Sequence, residues 1–294
     1  MTRTRISLNA HDGVRLAAYC HEPQGPVRAN VVIGPAMAVP QKFYADFANY
    51  LAEHGFRVWT FDYRDMAESA VGSMRRSKAD ISAWLTNDYD AVIQQADNGD
   101  CELPLFVVGH SLGGQIAPLL PSAQRIAGLV NIAVGSGTVR HNQPRLQRSS
   151  RLLWYFLAPL LCPLFGYFPG RRIGVIGDLP AGVMMQWRRW CLTPEYLLTG
   201  EPAAREAYAR AAYPVLGLTF GDDELLLAAG SRMLHEAYTG AEVDYREIGP
   251  EHFGLQRIGH FGFFKSEQEN FLWPLVRDWL LQRVVCTSGD MALT

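Results

Sequence analysis

Leu105-Phe106-Val107-Val108-Gly109-His110-Ser111-Leu112-Gly113-Gly114 is the stretch of this chain that decides the fold. An apolar run of strand length leads into the pentapeptide Gly109-His110-Ser111-Leu112-Gly113, and helix-compatible residues follow through Ala117. In that setting G-x-S-x-G is the pattern of a nucleophile elbow, where a strand turns into a helix so tightly that the serine is pushed out at the top of a sheet. Glycines two before and two after Ser111 answer the need for a close backbone approach, in which a Cβ would collide.

Strands and helices alternate on both sides of this stretch. Arg5 to Leu8 and Arg15 to Cys20, joined by a turn at Asp12-Gly13, read as an antiparallel pair. Short apolar runs at 30–33, 56–61, 126–134 and 214–220, and a weaker one at 243–246, read as further strands. Helical spacing separates them from Phe43 to Leu51, from Ile81 to Ile93 and from Phe271 to Leu280. Strands that read as continuous apolar runs imply an α/β fold, a mostly parallel central sheet covered by helices on both faces. Residues 138–212 hold no clear strand and many aromatics, so they read as a helical cap inserted into a core formed by 1–137 and 213–294.

A serine hydroxyl needs a base and an orienting acid, which in this arrangement follow it in the order acid, then histidine. The acid candidates lie just after the 214–220 strand, in Gly221-Asp222-Asp223-Glu224-Leu225. Asp223 is preferred and Asp222 is the alternative. The base candidates are His260, flanked by Gly259 and Gly262 before the final helix, and His252 as the alternative. His110, beside the serine, is expected to pack or to line the pocket. A tetrahedral intermediate also needs backbone N–H donors; these are expected at Leu112 and, from the loop Gly34 to Pro40, at Met37.

With these pieces the chain resembles the α/β-hydrolase superfamily over nearly its whole length. The matching residues are Gly109-His110-Ser111-Leu112-Gly113-Gly114, Phe61-Asp62-Tyr63-Arg64, Gly221-Asp222-Asp223 and Gly259-His260-Phe261-Gly262. It is most similar to serine hydrolases of the lysophospholipase and serine-aminopeptidase branch, whose Trp-rich cap carries a motif like Gln186-Trp187-Arg188-Arg189-Trp190. The resemblance implies a Ser111-Asp223-His260 triad and no cofactor; no metal is expected, since no histidines cluster at metal-ligand spacing. Two departures stand out: Pro35-Ala36 replaces a His-Gly pair in the oxyanion loop, and Asp65-Met66-Ala67-Glu68-Ser69 replaces a Gly-rich turn after Asp-Tyr-Arg.

The expected activity is therefore hydrolysis of a carboxylic ester or thioester through an acyl-enzyme. An acyltransferase built on the same acyl-enzyme and a non-catalytic binding member of the fold are the alternatives. The net charge of -2 gives no pull toward nucleic acid. Within 138–199, however, eight arginines face only Asp178 and Glu195, which suits an anionic lipid or a carrier-bound acyl group as substrate. Trp154, Phe156, Trp187 and Trp190 are the candidate pocket residues; the aromatic stretch 152–168 reads first as the cap's own core, with an acyl pocket wall or a membrane-docking surface as the alternatives. Five scattered cysteines without a C-x-x-C pair, and no apolar leader at the start, give the expectation of reduced thiols and a cytoplasmic location.

Overall fold

The computed structural model describes residues 1–97 and 103–291, with side chains through Val284. Eight strands form one sheet: β1 (Thr2–Asn9), β2 (Arg15–Glu22), β3 (Ala29–Gly34), β4 (Phe56–Phe61), β5 (Leu105–His110), β6 (Ile126–Ile132), β9 (Val215–Phe220) and β10 (Val243–Ile248). Their order is β1-β2-β4-β3-β5-β6-β9-β10. The pairs from β4 across to β10 are all parallel, while β2 runs antiparallel to both β1 and β4. β3 and β5 are wholly buried, and successive residues feed opposite faces. Val31, Ile33, Phe106 and Val108 enter one hydrophobic cluster, and Val32 and Val107 enter the other. That is why these strands read as unbroken apolar runs. At the edge, β1 is mostly exposed and carries Arg3 and Arg5, which blunt its pairing potential.

Two short strands, β7 (Tyr167–Phe168) and β8 (Leu179–Pro180), pair antiparallel inside the segment between β6 and β9. The expectation of no strand there is thus corrected. Two residues each, one of them proline, leave no periodicity to read. Helical segments dominate the rest of this stretch, at Pro144–Leu152, Leu153–Leu157, Ala158–Phe165, Ala181–Cys191 and Ala204–Arg210. Gln186 anchors it to the core: its Oε1 accepts from the backbone N–H of Ile81 at 2.8 Å and of Ser82 at 3.2 Å. These are orphan donors of a helix start, so the glutamine acts as a cap supplied from another part of the chain. Cys20, Cys162 and Cys191 are buried free thiols; Cys101 and the Cys286 side chain lie outside the described residues.

Between β9 and β10 the helix Ala228–His235 lays a buried polar side chain against the sheet. His235 donates from Nδ1 to the Ser231 carbonyl at 2.8 Å and accepts at Nε2 from Asn131 of β6 at 3.2 Å. Burial pushes its pKa down to about 4 from the usual 6.5. The unfolded chain therefore takes up a proton near pH 6.5 that the folded chain refuses until about pH 4. Stability is present above that window and is lost as pH falls through it, by about 3 kcal/mol from this residue. Urea unfolding of His235→Gln across the window is expected to show a shallower acid loss than the parent protein, by that difference.

Candidate active site

Ser111 sits at the end of β5, with φ 47° and ψ -113°, before the helix Leu112–Ile116. A non-glycine residue with positive φ is strained, and here the neighbours leave no alternative. A Cβ on Gly109 would meet backbone atoms of Gly113 and Gly114, and one on Gly113 would meet the Gly34 carbonyl. The close approach expected between the two glycines thus extends to Gly114 and to the end of β3. Ser111 is partly exposed, while Leu112 is buried.

Asp223 lies in the turn after β9 and is 4% exposed. Its Oδ2 accepts from His260 Nδ1 at 2.7 Å, and its Oδ1 accepts from the N–H groups of Leu225 at 2.7 Å and Leu226 at 2.9 Å. Both oxygens are thereby fixed. Nδ1 of His260 is a donor in this pairing, which leaves Nε2 free to accept a proton.

Asp222 does something different. Its two oxygens accept from the backbone N–H of Ile258 at 2.8 Å and Gly259 at 3.0 Å. Glu224 accepts from the N–H of His260 itself at 2.9 Å. Three consecutive acids therefore hold one short segment: Asp222 by the N–H groups of the two residues before the histidine, Glu224 by the N–H of His260, and Asp223 by its ring. Asp222 is not the ring's partner, and both neighbours of Asp223 are committed to backbone N–H groups. The sequence carried no signal for this, because it depends on where each side chain leaves the turn. His252 lies elsewhere: it is exposed, and its Nδ1 accepts from the Gly249 N–H at 3.1 Å.

Gly259 has φ +67°, and a Cβ there would collide with Glu224 Oε2. Gly259→Ala is expected to break the Glu224 contact and to cost about 1–2 kcal/mol of stability from the left-handed backbone. Urea unfolding, with turnover of a soluble nitrophenyl ester as a second readout, checks this.

His110 is fully buried, so of its two expected places it packs in the interior and does not line a pocket. Its Nε2 donates to the His260 carbonyl at 3.0 Å, and its Nδ1 accepts from the Tyr44 hydroxyl at 3.0 Å. Tyr44 in turn accepts from the N–H of Ala36 at 2.9 Å. Burial first, and the neighbouring His260 second, hold His110 well below the usual histidine range, so it stays neutral. One uncharged chain of hydrogen bonds thus joins the loop after β3, the elbow and the His260 segment.

Met37 lies in that loop, 9% exposed. Ala36 has already given its N–H to Tyr44, so that amide is occupied. Nearby, the turn after Asp62-Tyr63-Arg64 keeps a left-handed course without glycine, with φ 62° at Asp65 and 40° at Ala67. Asp62 holds it: buried at 2% exposure, it accepts from the N–H groups of Gln41 at 2.8 Å and Glu68 at 3.1 Å. Arg64 is clamped between Asp88, 2.7 Å away, and Asp12.

The four aromatic candidates divide. Trp154 is buried against Trp187, ring centroids 4.8 Å apart and edge to face. Trp187 donates to the Tyr196 hydroxyl at 3.1 Å, which donates to Gln115 of the elbow helix at 3.1 Å. Trp190 is buried and donates to Glu201 at 2.8 Å. It also lines a groove of about 860 Å³ with Ile116, Leu119 and Tyr213, a groove that Ser111, Asp223 and His260 do not line. Phe156 is 65% exposed and faces outward, which corrects its placement in a pocket.

Residues 25–164 match the family model described as serine aminopeptidase, S33. A protein of Schizosaccharomyces pombe named as a monoglyceride lipase is 35% identical over 74 residues. That stretch is 25% of this chain and spans 19% of the yeast protein's length. Among solved structures, a soluble variant of monoglyceride lipase from Saccharomyces cerevisiae, bound to a substrate analogue, superposes with a TM-score of 0.68 at 18% identity, over 95% of this chain and 96% of that one. The Pyrococcus furiosus esterase Pf2001 gives 0.63 at 13% identity, over 96% and 91%. The chain has the α/β-hydrolase fold, and over residues 25–164 it is similar to the serine aminopeptidase branch.

Proposed function

We propose that this protein is a serine hydrolase that cleaves a carboxylic ester or thioester, with Ser111 as nucleophile, His260 as general base and acid, and Asp223 as the residue that orients the ring. The observation that carries the reading is the buried 2.7 Å contact between His260 Nδ1 and Asp223. It leaves Nε2 of the ring as the acceptor, on a segment hydrogen-bonded to the residue next to Ser111. The names of the yeast lipase and the archaeal esterase agree with an ester-cleaving role.

In this mechanism Ser111 Oγ attacks the carbonyl carbon and gives its proton to His260 Nε2, while Asp223 stabilises the imidazolium. The N–H groups of Leu112 and Met37 receive the oxyanion. The tetrahedral intermediate collapses as His260 returns the proton to the leaving oxygen or sulfur, leaving an acyl-Ser111 ester. A water deprotonated by the same ring then releases the acid. Residues 138–212 act as the cap over this site, and their excess of arginine suits an acyl substrate with an anionic head.

A fluorophosphonate probe followed by peptide mapping tests the reading. A single adduct on the peptide containing Ser111, slowed while a competing ester substrate is present in excess, is the expected result. Absence of that adduct from folded protein would overturn it. An acceptor alcohol that converts acid release into ester transfer would identify the acyltransferase alternative instead.

A further inference from the structure

The helical run 144–165 has one face against the molecule and one against solvent. Leu153, Trp154, Ala158 and Cys162 are buried. On the other side Leu152, Tyr155, Phe156, Leu160 and Leu164 are exposed by 51%, 57%, 65%, 62% and 61%. Their spacing by three and four residues aligns them in one stripe along the helix. The five-residue π-helical turn at Leu153–Leu157 lies within it. Ile173 and Val175, 38% and 51% exposed, continue the apolar surface beyond the helix end.

Charge frames this stripe with one sign. Arg145, Arg148 and Arg151 are exposed on the turns that precede it, and Arg171 and Arg172 are exposed after it. Arg172 lies 5.9 Å from the ring centroid of Phe165, and Arg75 reaches the Leu164 carbonyl from the core at 3.5 Å. Asp178 is the only acid between residues 140 and 194. The surface also abuts the candidate site, because Arg171 borders a 50 Å³ pocket with Ala36 and Ala38 of the loop after β3.

We propose that this face docks on the surface of an anionic lipid bilayer, with the stripe in the acyl boundary and the arginines among the phosphates. An apolar helix face flanked by cations has the two attractions that interfacial helices combine, burial of apolar area and Coulomb attraction to negative headgroups. Pairing of two copies through the same face fits less well. A two-fold contact would set arginines against arginines, with almost no acid in the segment to offset them. No helix among the described residues is long and apolar enough to cross a membrane, so the contact is peripheral. A substrate drawn from the bilayer would then reach the site along the surface bordered by Arg171.

Vesicle flotation tests this without passing through Ser111 chemistry. The expected result is binding to vesicles of phosphatidylcholine and phosphatidylglycerol in equal parts, weaker binding to phosphatidylcholine alone, and release by salt as screening shortens. Leu160→Ser with Leu164→Ser should lower binding by about tenfold or more at unchanged thermal stability. Arg148→Gln with Arg151→Gln should remove the preference for the anionic lipid. The proposal is overturned by failure to float with the mixed vesicles, or by equal binding to both compositions. A dimer in sedimentation that the serine variants dissociate would assign the face to self-association instead.

Discussion

Replacing Ser111 with alanine is expected to lower soluble-ester turnover by a factor of about 10⁵, leaving only the catalysis that binding and an oxyanion site give without a nucleophile. The size follows from the division of labour proposed here. The serine forms the covalent bond, so no neighbouring group can take its part; the backbone donors at Leu112 and Met37 remain and keep the residual rate above that of water. Folding should survive or improve, because Ser111 holds φ 47° at partial exposure and its side chain caps nothing in the elbow helix. The measurement is kcat/KM for a nitrophenyl ester beside a thermal melt. Turnover within tenfold of the parent would remove Ser111 from the mechanism.

The second large effect separates two adjacent carboxylates. Asp223→Asn is expected to cost about 10⁴ in kcat, since an amide facing Nδ1 favours the wrong tautomer and cannot stabilise an imidazolium. Asp222→Asn keeps an acceptor for the Ile258 and Gly259 N–H groups at one oxygen only, so it loosens the segment without touching the ring. Its expected cost is about tenfold in kcat with a stability loss of about 1–2 kcal/mol. The contrast is the informative part: a loss of catalysis at unchanged stability for Asp223, and losses in both for Asp222. Equal effects at the two positions would show that the Asp223 contacts to the Leu225 and Leu226 N–H groups, rather than its contact with the ring, carry the loss.

The sheet was legible in the sequence because its inner parallel strands are buried on both faces, so that β3, β5 and β9 appear as unbroken apolar runs at their observed positions; β10, at the edge and partly exposed, gave the weaker run. Ser111, Asp223 and His260 were legible as candidates because the elbow and the glycines around the histidine impose local requirements on residue type. What was not legible depends on direction rather than type. Nothing in Gly221-Asp222-Asp223-Glu224 tells which carboxylate turns to the ring and which to the backbone, and nothing in Gly109-His110 tells that His110 points inward to Tyr44. The stretch from Leu152 to Phe168 is apolar on every side, so periodicity could not separate its buried face from its exposed one. Its outer stripe emerges only when the core is seen to occupy the other side.

The clamp formed by the three consecutive acids has a consequence for hydrogen exchange. The amides of Leu225, Leu226, Ile258, Gly259 and His260 all donate to carboxylates of Asp222, Asp223 and Glu224. Two stretches more than thirty residues apart in sequence therefore share acceptors on one tripeptide. Their deuterium uptake should be slow and should rise together when the tripeptide lets go, as one cooperative opening unit in a region that is otherwise turn and loop. A substrate arriving at such a site meets a histidine already held in place, and its binding need not order the segment first.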